Sequence, residues 1–493
     1  MGWSPHQDKI YDFAVKGTGH LVVLARAGSG KTTTIKEVCR RLPRSRILVC
    51  AFDTRIRDEL VERLRQLRHV QVKGLNQLGF GTLMRYRGQT LSVDRYRIRD
   101  YMRRLIPEEH KAERGDVFRL LSMCMANLAT APEHIQEMMY AYDLRPADPA
   151  LDERYVSWVQ AALAFIEAPS PTVSFDEQVY LPAKLNLTTG SYDVVIVDEM
   201  QDLTPAQYRL VVNAVKPRTG RVFAFGDDRQ NIYGFRGADV SSSEKFCRDL
   251  NATVLPLPIT YRNPVLIVNL AKHIVPDFEA APGAPDGILD TVTEREFLSS
   301  VKEGDAVISR SNAALSKYCM ALLGAGRRAR IIGRDLGAKL NSLLGRSQSN
   351  EVPALLDDLS RYVEAESERL VAARKDDLAE DLLDNLEALR AISEGLTSVS
   401  ALAAKVEVLF SDERDATDGV IAFMTVHKAK GREFDRVWVF ESTFRLSSTE
   451  GENLYYVAIT RAKKELILVQ LPRSDGKYPK SIKTQLEEEE EGR

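Results

Sequence analysis

Cysteine is scarce in this chain: five in 493 residues, at Cys39, Cys50, Cys124, Cys247 and Cys319, with no C-x-x-C among them. That spacing excludes a zinc ribbon or an iron–sulfur cluster. An odd, scattered set fits a reducing compartment, and the expected location is the cytoplasm. Long apolar runs are also missing. The longest, such as Leu21–Ala25 and Ile47–Phe52, fall far short of the ~18 residues of a membrane span, so no membrane partner is expected. The opening MGWSPHQDKI has no apolar stretch of the kind a secretion signal needs. Pro5 and His6 spoil it as a myristoylation motif. Excess charge of one sign is absent as well. Lys and Arg number 68 against 70 Asp and Glu, a net −2. A uniformly basic nucleic-acid coat is therefore excluded, and any such site must come from local patches.

What is present points to α/β architecture. At ~150 residues per domain, the length suggests roughly three domains. The runs LVVLA (21–25), ILVCAF (47–52), VVIVD (194–198) and VFAFGD (222–227) are continuously apolar. Such runs belong to parallel strands covered on both faces by helices, giving a doubly wound sheet. About a hundred residues separate the second strand region from VVIVD, where a crossover needs only about a dozen. A helical insertion is expected over 84–171, leaving 1–83 and 172–254 as the first core. A second set, DAVISR (305–310), RARIIG (328–333), GVIAFM (419–424), RVWVFE (436–441) and ELILVQ (465–470), builds a second core from 255–334 and 416–493. A shorter helical insertion interrupts it over 335–415. Glu487–Glu491 reads as a solvated tail.

The chemistry begins at Ala25-Arg26-Ala27-Gly28-Ser29-Gly30-Lys31-Thr32, which follows a strand and opens a helix. In that context the pattern is a phosphate-binding loop. The glycines let backbone N–H groups wrap a phosphate at the positive end of a helix. Lys31 would reach the β- and γ-phosphates, and Thr32 would hold Mg²⁺. A Gly-rich turn with a chance Gly-Lys-Thr is the plainer alternative. ATP with Mg²⁺ needs an acidic partner on a neighbouring strand, and Asp198-Glu199 after VVIV supplies it. Asp198 would bind the metal through water, and Glu199 would orient and deprotonate the attacking water. Helix capping is the alternative role for this pair.

Five further segments occur in order: VVIVDEMQD (194–202), FGDDRQNIYGFRGA (225–238), TYRN (260–263), MTVHKAKGREFD (424–435) and YYVAITRAKK (455–464). Together they resemble the UvrD/Rep branch of superfamily 1 helicases over roughly two-thirds of the chain. The resemblance implies two RecA-like cores and an ATP-dependent DNA helicase that moves 3′→5′ on single-stranded DNA. Gln7 resembles the glutamine that reads the adenine edge, where the alternative is a plain surface residue. Gln230 resembles the γ-phosphate sensor, Tyr261 the residue that stacks on adenine, and Glu433 the acid that contacts the ribose. Arg262 and Arg461 resemble the two arginine fingers, though each could instead serve a fold-stabilising ion pair. With the P-loop on one core and the arginines on the other, hydrolysis would depend on closure, and closure with ATP is a ratchet.

On the DNA side, the resemblance implies base stacking on Tyr233 and Phe235, whose alternate spacing puts them on one side of an extended segment. Core packing is the alternative for both. Arg236, Thr425, His427 and Lys430 are expected to contact phosphates or couple the two sites, and a buried, hydrogen-bonded role is equally open for His427. Phe52 and Thr54 stand in the next strand-binding motif, where Asp53 would repel a phosphate and suits a helix cap instead. Gly74-Leu75-Asn76-Gln77 departs from the family pattern.

The two insertions differ in charge. Arg85–Arg104 holds seven Arg, two Asp and Tyr86, Tyr96 and Tyr101, a composition suited to nucleic acid or to a solvated helix face. Glu351–Arg390 holds twelve acids and five bases, with an apolar stripe at Leu378, Leu382, Leu386 and Leu389 that is expected to form a small separable core. Single-stranded DNA and single/double-strand junctions are the expected partners. The alternative function is an ATP-switched DNA-binding or protein-displacing factor with little unwinding. A small-molecule kinase explains neither the second core nor Arg461.

Overall fold

The computed structural model describes residues 2–52, 54–142, 144–146, 148–232, 242–372, 376–410, 419–472 and 478–484. The chain forms two compact units, Met1–Pro258 and Ile259–Arg493.

The first unit opens with α1 (Pro5–Lys16), β1 (Leu21–Ala25), α2 (Lys31–Arg41), β2 (Ile47–Ala51), α3 (Thr54–Leu64) and β3 (Val70–Gly74). A largely helical stretch follows: α4 (Leu75–Arg87), β4 (Ser92–Val93), α5 (Arg97–Leu105), α6 (Arg114–Asn127), α7 (Pro132–Ala141), α8 (Asp152–Glu167), β5 (Thr172–Val173) and α9 (Glu177–Lys184). The unit closes with β6 (Val194–Val197), α10 (Pro205–Val212), β7 (Arg221–Gly226), α11 (Ser242–Leu250) and β8 (Thr253–Leu257). Six strands form a parallel sheet in the order β3-β2-β6-β7-β1-β8. Alternate residues of each strand point to opposite faces. Leu21 and Val23 pack with Ile10, Tyr11, Ile35 and Val38 on one face. Val22, Leu48 and Val195 pack with Leu75, Leu78, Val211 and Phe246 on the other. Both faces are dry, as the continuous apolar runs require.

The boundary between the units differs from the expected 254/255. Leu255 lies in β8 and pairs with Val23 of β1, so the segment taken to open the second core is the edge of the first sheet. The first helical stretch has a core of its own, drawn from residues between Leu83 and Leu181.

The second unit runs β9 (Ile259–Thr260), α12 (Val265–Lys272), β10 (Glu279–Ala280), β11 (Ile288–Thr293), α13 (Glu294–Ser300), β12 (Ala306–Ser309), α14 (Asn312–Gly324) and β13 (Ala329–Ile332). Helices α15 (Arg334–Leu344), α16 (Val352–Ala372), α17 (Asp376–Ser393) and α18 (Val399–Phe410) come next. It ends with β14 (Ile421–Thr425), α19 (Val426–Ala429), β15 (Phe434–Phe440), α20 (Thr449–Ile459) and β16 (Ala462–Gln470). Its six-stranded sheet is also parallel, in the order β11-β16-β15-β12-β14-β13. The two sheets are the two RecA-like cores.

The second insertion corrects an expectation. Leu386 and Leu389 are buried, and Leu382 packs against them, but their core is not separate. Leu355, Leu386, Leu389, Leu402 and Val406 share one cluster with Val307, Ile331, Phe423, Trp438 and Phe440 of the sheet. Asp384 of α17 also caps α14, accepting from Ser311 Oγ at 2.5 Å, Asn312 N at 2.5 Å and Ala313 N at 3.0 Å. The α15–α18 helices are thus one wall of the second core. The Leu378 side chain and the Glu487–Glu491 run lie outside the described residues.

Candidate nucleotide site

The P-loop links the C-terminal end of β1 to α2. Gly28 and Gly30 adopt φ of +69° and +79°, a left-handed conformation that glycine enters without a Cβ penalty. Gly30 caps α2, so the loop delivers Lys31 and Thr32 to the first turn of the helix. The loop is tied down from within and from the neighbouring strand: Ser29 N donates to Arg26 O at 3.1 Å, and Arg26 N donates to Leu257 O of β8 at 3.1 Å.

Lys31 Nζ lies 3.1 Å from Asp198 Oδ1 and 2.5 Å from Glu199 Oε1. Burial works against the Lys31 charge, but the two carboxylates outweigh it and hold the ammonium above its ordinary pKa. Burial pushes Asp198 upward, with Lys31 opposing. Glu199 sits at φ +59°, a left-handed position that costs a non-glycine residue about 1–2 kcal/mol. Backbone strain of this kind concentrates at functional sites. It turns the Glu199 carboxylate toward Lys31 directly after a strand whose four residues are all buried.

Two residues that the sequence reading passed over complete the arrangement. Gln201, 1 % exposed, donates from Nε2 to Glu199 Oε2 at 2.7 Å, and its Oε1 accepts from Asp227 N at 3.1 Å. The close approach of Gln201 requires glycine at 226, because a Cβ there would stand 2.3 Å from Gln201 Oε1. Asp227, also 1 % exposed, accepts from Gln230 Nε2 at 2.8 Å and from Arg26 Nη1 at 3.0 Å. Arg26 Nη1 also meets Asp228 Oδ1 at 2.5 Å. The Arg26 side chain is therefore engaged with the end of β7. The D-E-x-Q-D and G-D spacings are visible in the sequence, but only the fold shows that they meet.

The donor set fits a nucleoside triphosphate with Mg²⁺. Lys31, the loop N–H groups and the helix start suit phosphates, and Thr32 with Asp198 suits a hard cation that takes oxygen ligands. The Ser29 hydroxyl is buried without a hydrogen-bond partner. A buried polar group left unpaired is costly, so it marks a place where a ligand oxygen would be welcome. No group of three or more His, Cys, Asp or Glu side chains that could hold a metal occurs among the described residues.

Gln7 is not a surface residue. It is 4 % exposed, its Oε1 accepts from Ser4 N at 3.0 Å, and its Nε2 donates to Thr34 Oγ1 at 3.2 Å. It joins the start of α1 to the P-loop helix. Phe52 follows β2 and lines a cavity of about 250 Å³ with Asn76, Met125, Tyr180, Asp202 and Gln207. Thr54 is exposed at the start of α3. Asp53, Tyr233, Phe235 and Arg236 lie outside the described residues.

In the second unit, Tyr261 is 53 % exposed, as a stacking side chain needs to be. Arg262 pairs with Glu433 and donates from Nη1 to Thr460 O at 3.3 Å, while its buried Nε has no partner. Arg461 is 1 % exposed. It donates from Nε to Val457 O at 2.8 Å and from Nη2 to Thr460 Oγ1 at 3.0 Å, so it braces the end of α20. Thr425, His427 and Lys430 are half-buried around α19, at the end of β14.

The Arg-rich segment of the first insertion divides in two. Arg97 is buried against Glu177, Arg87 donates to Ser170 O, and Arg85 donates to Thr189 O at 3.1 Å. Tyr101 stacks on Phe165 with centroids 3.9 Å apart. Arg95, Arg99, Arg103 and Arg104 are exposed, as are Tyr86 and Tyr96.

Four cysteines, Cys39, Cys50, Cys124 and Cys319, are buried, and burial pushes their thiols up to about 12. No described helix is long and apolar enough to cross a membrane.

Comparison with known proteins agrees with the geometry. Residues 3–251 match the UvrD/REP helicase N-terminal domain, and residues 340–472 match the UvrD-like helicase C-terminal domain. The chain is similar to a DNA helicase II of Haemophilus influenzae, with 32 % identity over 142 residues, 24 % of this chain and 19 % of that protein. It is similar to an ATP-dependent DNA helicase PcrA of Leuconostoc citreum, 27 % identical over 286 residues, covering 52 % of this chain and 37 % of the relative. A PcrA of Staphylococcus aureus is 26 % identical over 295 residues, 55 % of this chain and 40 % of the relative. The chain thus spans less than half the length of each of these curated relatives. With the amino-terminal family domain matched over half the chain and the carboxy-terminal one over much of the rest, this chain belongs to the UvrD/REP helicase family.

Proposed function

We propose that this chain is an ATP-driven motor on single-stranded DNA that moves 3′→5′ and opens duplexes at single/double-strand junctions. The observation that carries this reading is the Lys31–Asp198–Glu199 constellation, with Glu199 on a strained backbone, at the end of a glycine-shaped P-loop. Lys31 binds and orients the β- and γ-phosphates. Thr32 and Asp198 hold Mg²⁺, which when bound neutralises phosphate charge. Glu199, steadied by Gln201, takes the proton of the attacking water. Gln230 senses the terminal phosphate. Phosphoryl transfer relies on charge stabilisation more than on covalent chemistry, and the family motifs assign Arg262 and Arg461 to that charge. Tyr261 and Glu433 are assigned to the base and ribose, and Gln7 to the adenine edge. Ala25 and Ala27 complete the backbone of the phosphate loop.

Phe52, Thr54, Tyr233, Phe235, Arg236, Thr425, His427 and Lys430 make up the proposed strand-binding set. Stacking of bases on aromatics would hold the strand without reading its sequence. The exposed arginines of α5 add a phosphate-facing surface. The names PcrA and DNA helicase II carried by the relatives support DNA as the substrate.

A second reading, an ATP-switched factor that displaces proteins with little unwinding, is favoured by one observation. The second insertion is acidic and built into the sheet's own core. Strand displacement on 3′-tailed and 5′-tailed duplexes, beside displacement of a bound protein from single-stranded DNA, separates the two. Unwinding of the 3′-tailed duplex alone is expected. Protein displacement without unwinding on either tail would favour the second reading.

A further inference from the structure

The contacts described above form a closed circuit that starts and ends on the P-loop. From Lys31 it passes to Glu199, then to Gln201, then to the backbone of Asp227, and returns through the Asp227 carboxylate to Arg26. Arg26 is an unusual member. Its side chain is 9 % exposed, and its guanidinium meets Asp227 and Asp228 of the same unit. When ionised, the Asp227 carboxylate can only accept hydrogen bonds. In that form Oδ2 fixes the Gln230 amide with Nε2 turned toward it, at 2.8 Å. A protonated Asp227 could instead donate, and the Gln230 amide would lose its preferred orientation.

We propose that Arg26 is a positioning residue for hydrolysis, acting by keeping the Asp227 carboxylate an acceptor and so holding the Gln230 amide in one orientation. This rests on the ATPase reading above. Among the described residues, the groups facing Asp227 include Arg26 from the P-loop, Asp228, the Gln230 amide and the Arg229 backbone N–H from its own loop, and the Gln201 amide oxygen on its backbone N–H. Burial already pushes Asp227 above the ordinary carboxylate range, and Arg26 is the foremost group opposing that push. Without Arg26 the carboxylate rises further. Its neutral form then dominates at acid pH, and ionisation returns only as pH rises.

Two quantities then move in opposite directions with pH in Arg26→Met. A buried acid whose folded pKa is raised stabilises the protein below that pKa and loses the contribution as pH rises through it. The melting temperature of nucleotide-free Arg26→Met should therefore fall more steeply with rising pH than that of the wild type. Its kcat should do the reverse. Measured well below the melting point, kcat should be reduced by about 10²-fold at the acid end, the scale of a misplaced catalytic group, and recover as pH rises, with KM changed much less. Arg26→Lys should restore the wild-type pH profile. The double variant Arg26→Met/Asp227→Asn removes both charges, so no buried carboxylate is left unpaired. It should fold, show no pH limb, and remain slow at every pH.

A wild-type pH profile and kcat in folded Arg26→Met would overturn the proposal. So would a loss of activity in Arg26→Met that tracks its melting temperature, falling rather than rising with pH. Failure of the wild type to hydrolyse ATP at all would overturn the ATPase reading together with this one, so the two failures are distinguishable.

Discussion

Glu199 and Lys31 share one contact but carry different burdens. Glu199→Gln keeps a side chain of the same size beside Gln201, leaves Asp198 on Lys31, and removes the carboxylate proposed as the base. ATP affinity should stay near wild type while turnover falls by about 10²–10⁴-fold, the range for a lost general base. Nucleotide binding and steady-state turnover on the same preparation check this, and near-normal turnover would remove Glu199 from the role. Lys31→Ala removes the phosphate cation and leaves Asp198 and Glu199 without it, so both nucleotide binding and hydrolysis should be lost. The two arginines of the second unit also differ. Arg461 is buried on backbone carbonyls and a hydroxyl, and deleting it removes buried hydrogen bonds from a charged donor, each worth about 1.5–3 kcal/mol. Arg461→Ala should lower the melting temperature as well as the rate. Arg262 pairs with a half-exposed Glu433, and solvent screens that pair. Arg262→Ala should melt near wild type and lose about 10³-fold or more in DNA-stimulated turnover. Equal melting shifts in the two variants would contradict this division. The P-loop and the acid pair were legible because each is a local pattern. The Arg26, Gln201 and Asp227 contacts were not, since they join segments about 25 to 200 residues apart whose meeting is tertiary.

At the scale of elements, the inner strands announced themselves and most edges did not. β1, β2, β6 and β7 are buried on both faces and read as unbroken apolar runs. β3, β8 and β11 lie at sheet edges, where partial exposure leaves sequences such as Val-Gln-Val-Lys and Asp-Thr-Val-Thr without that signature. The insertions show the same limit. A helical stripe reveals that a face is buried, not against what. Leu386 and Leu389 of α17 are buried against the sheet-bearing core itself, and each fully buried leucine contributes about 1.5–3 kcal/mol. Replacing 335–410 by a flexible linker should therefore unfold the second unit, visible as loss of its cooperative melting transition. Asp384→Ala, which strips the cap from α14, should cost about 0.5–2 kcal/mol. A folded, fully stable linker variant would contradict the shared core.

For the whole molecule, the central claim is that ATP hydrolysis is coupled to single-stranded DNA. Family membership and the nucleotide site support the ATPase half, while the strand-binding half rests on Phe52, Thr425 and their partners, with Tyr233 and Phe235 outside the described residues. The resemblance was legible in the sequence because its motifs fall in order along both cores, whereas the charge balance of −2 gave no hint of a nucleic-acid partner. The most direct test is ATP turnover by the full chain, with Mg²⁺ present, measured without nucleic acid, with single-stranded RNA and with single-stranded DNA. The expected result is turnover that is low alone, rises at least about tenfold with single-stranded DNA, and disappears in Glu199→Gln. Turnover that is the same in all three conditions, or that survives in Glu199→Gln, would contradict it.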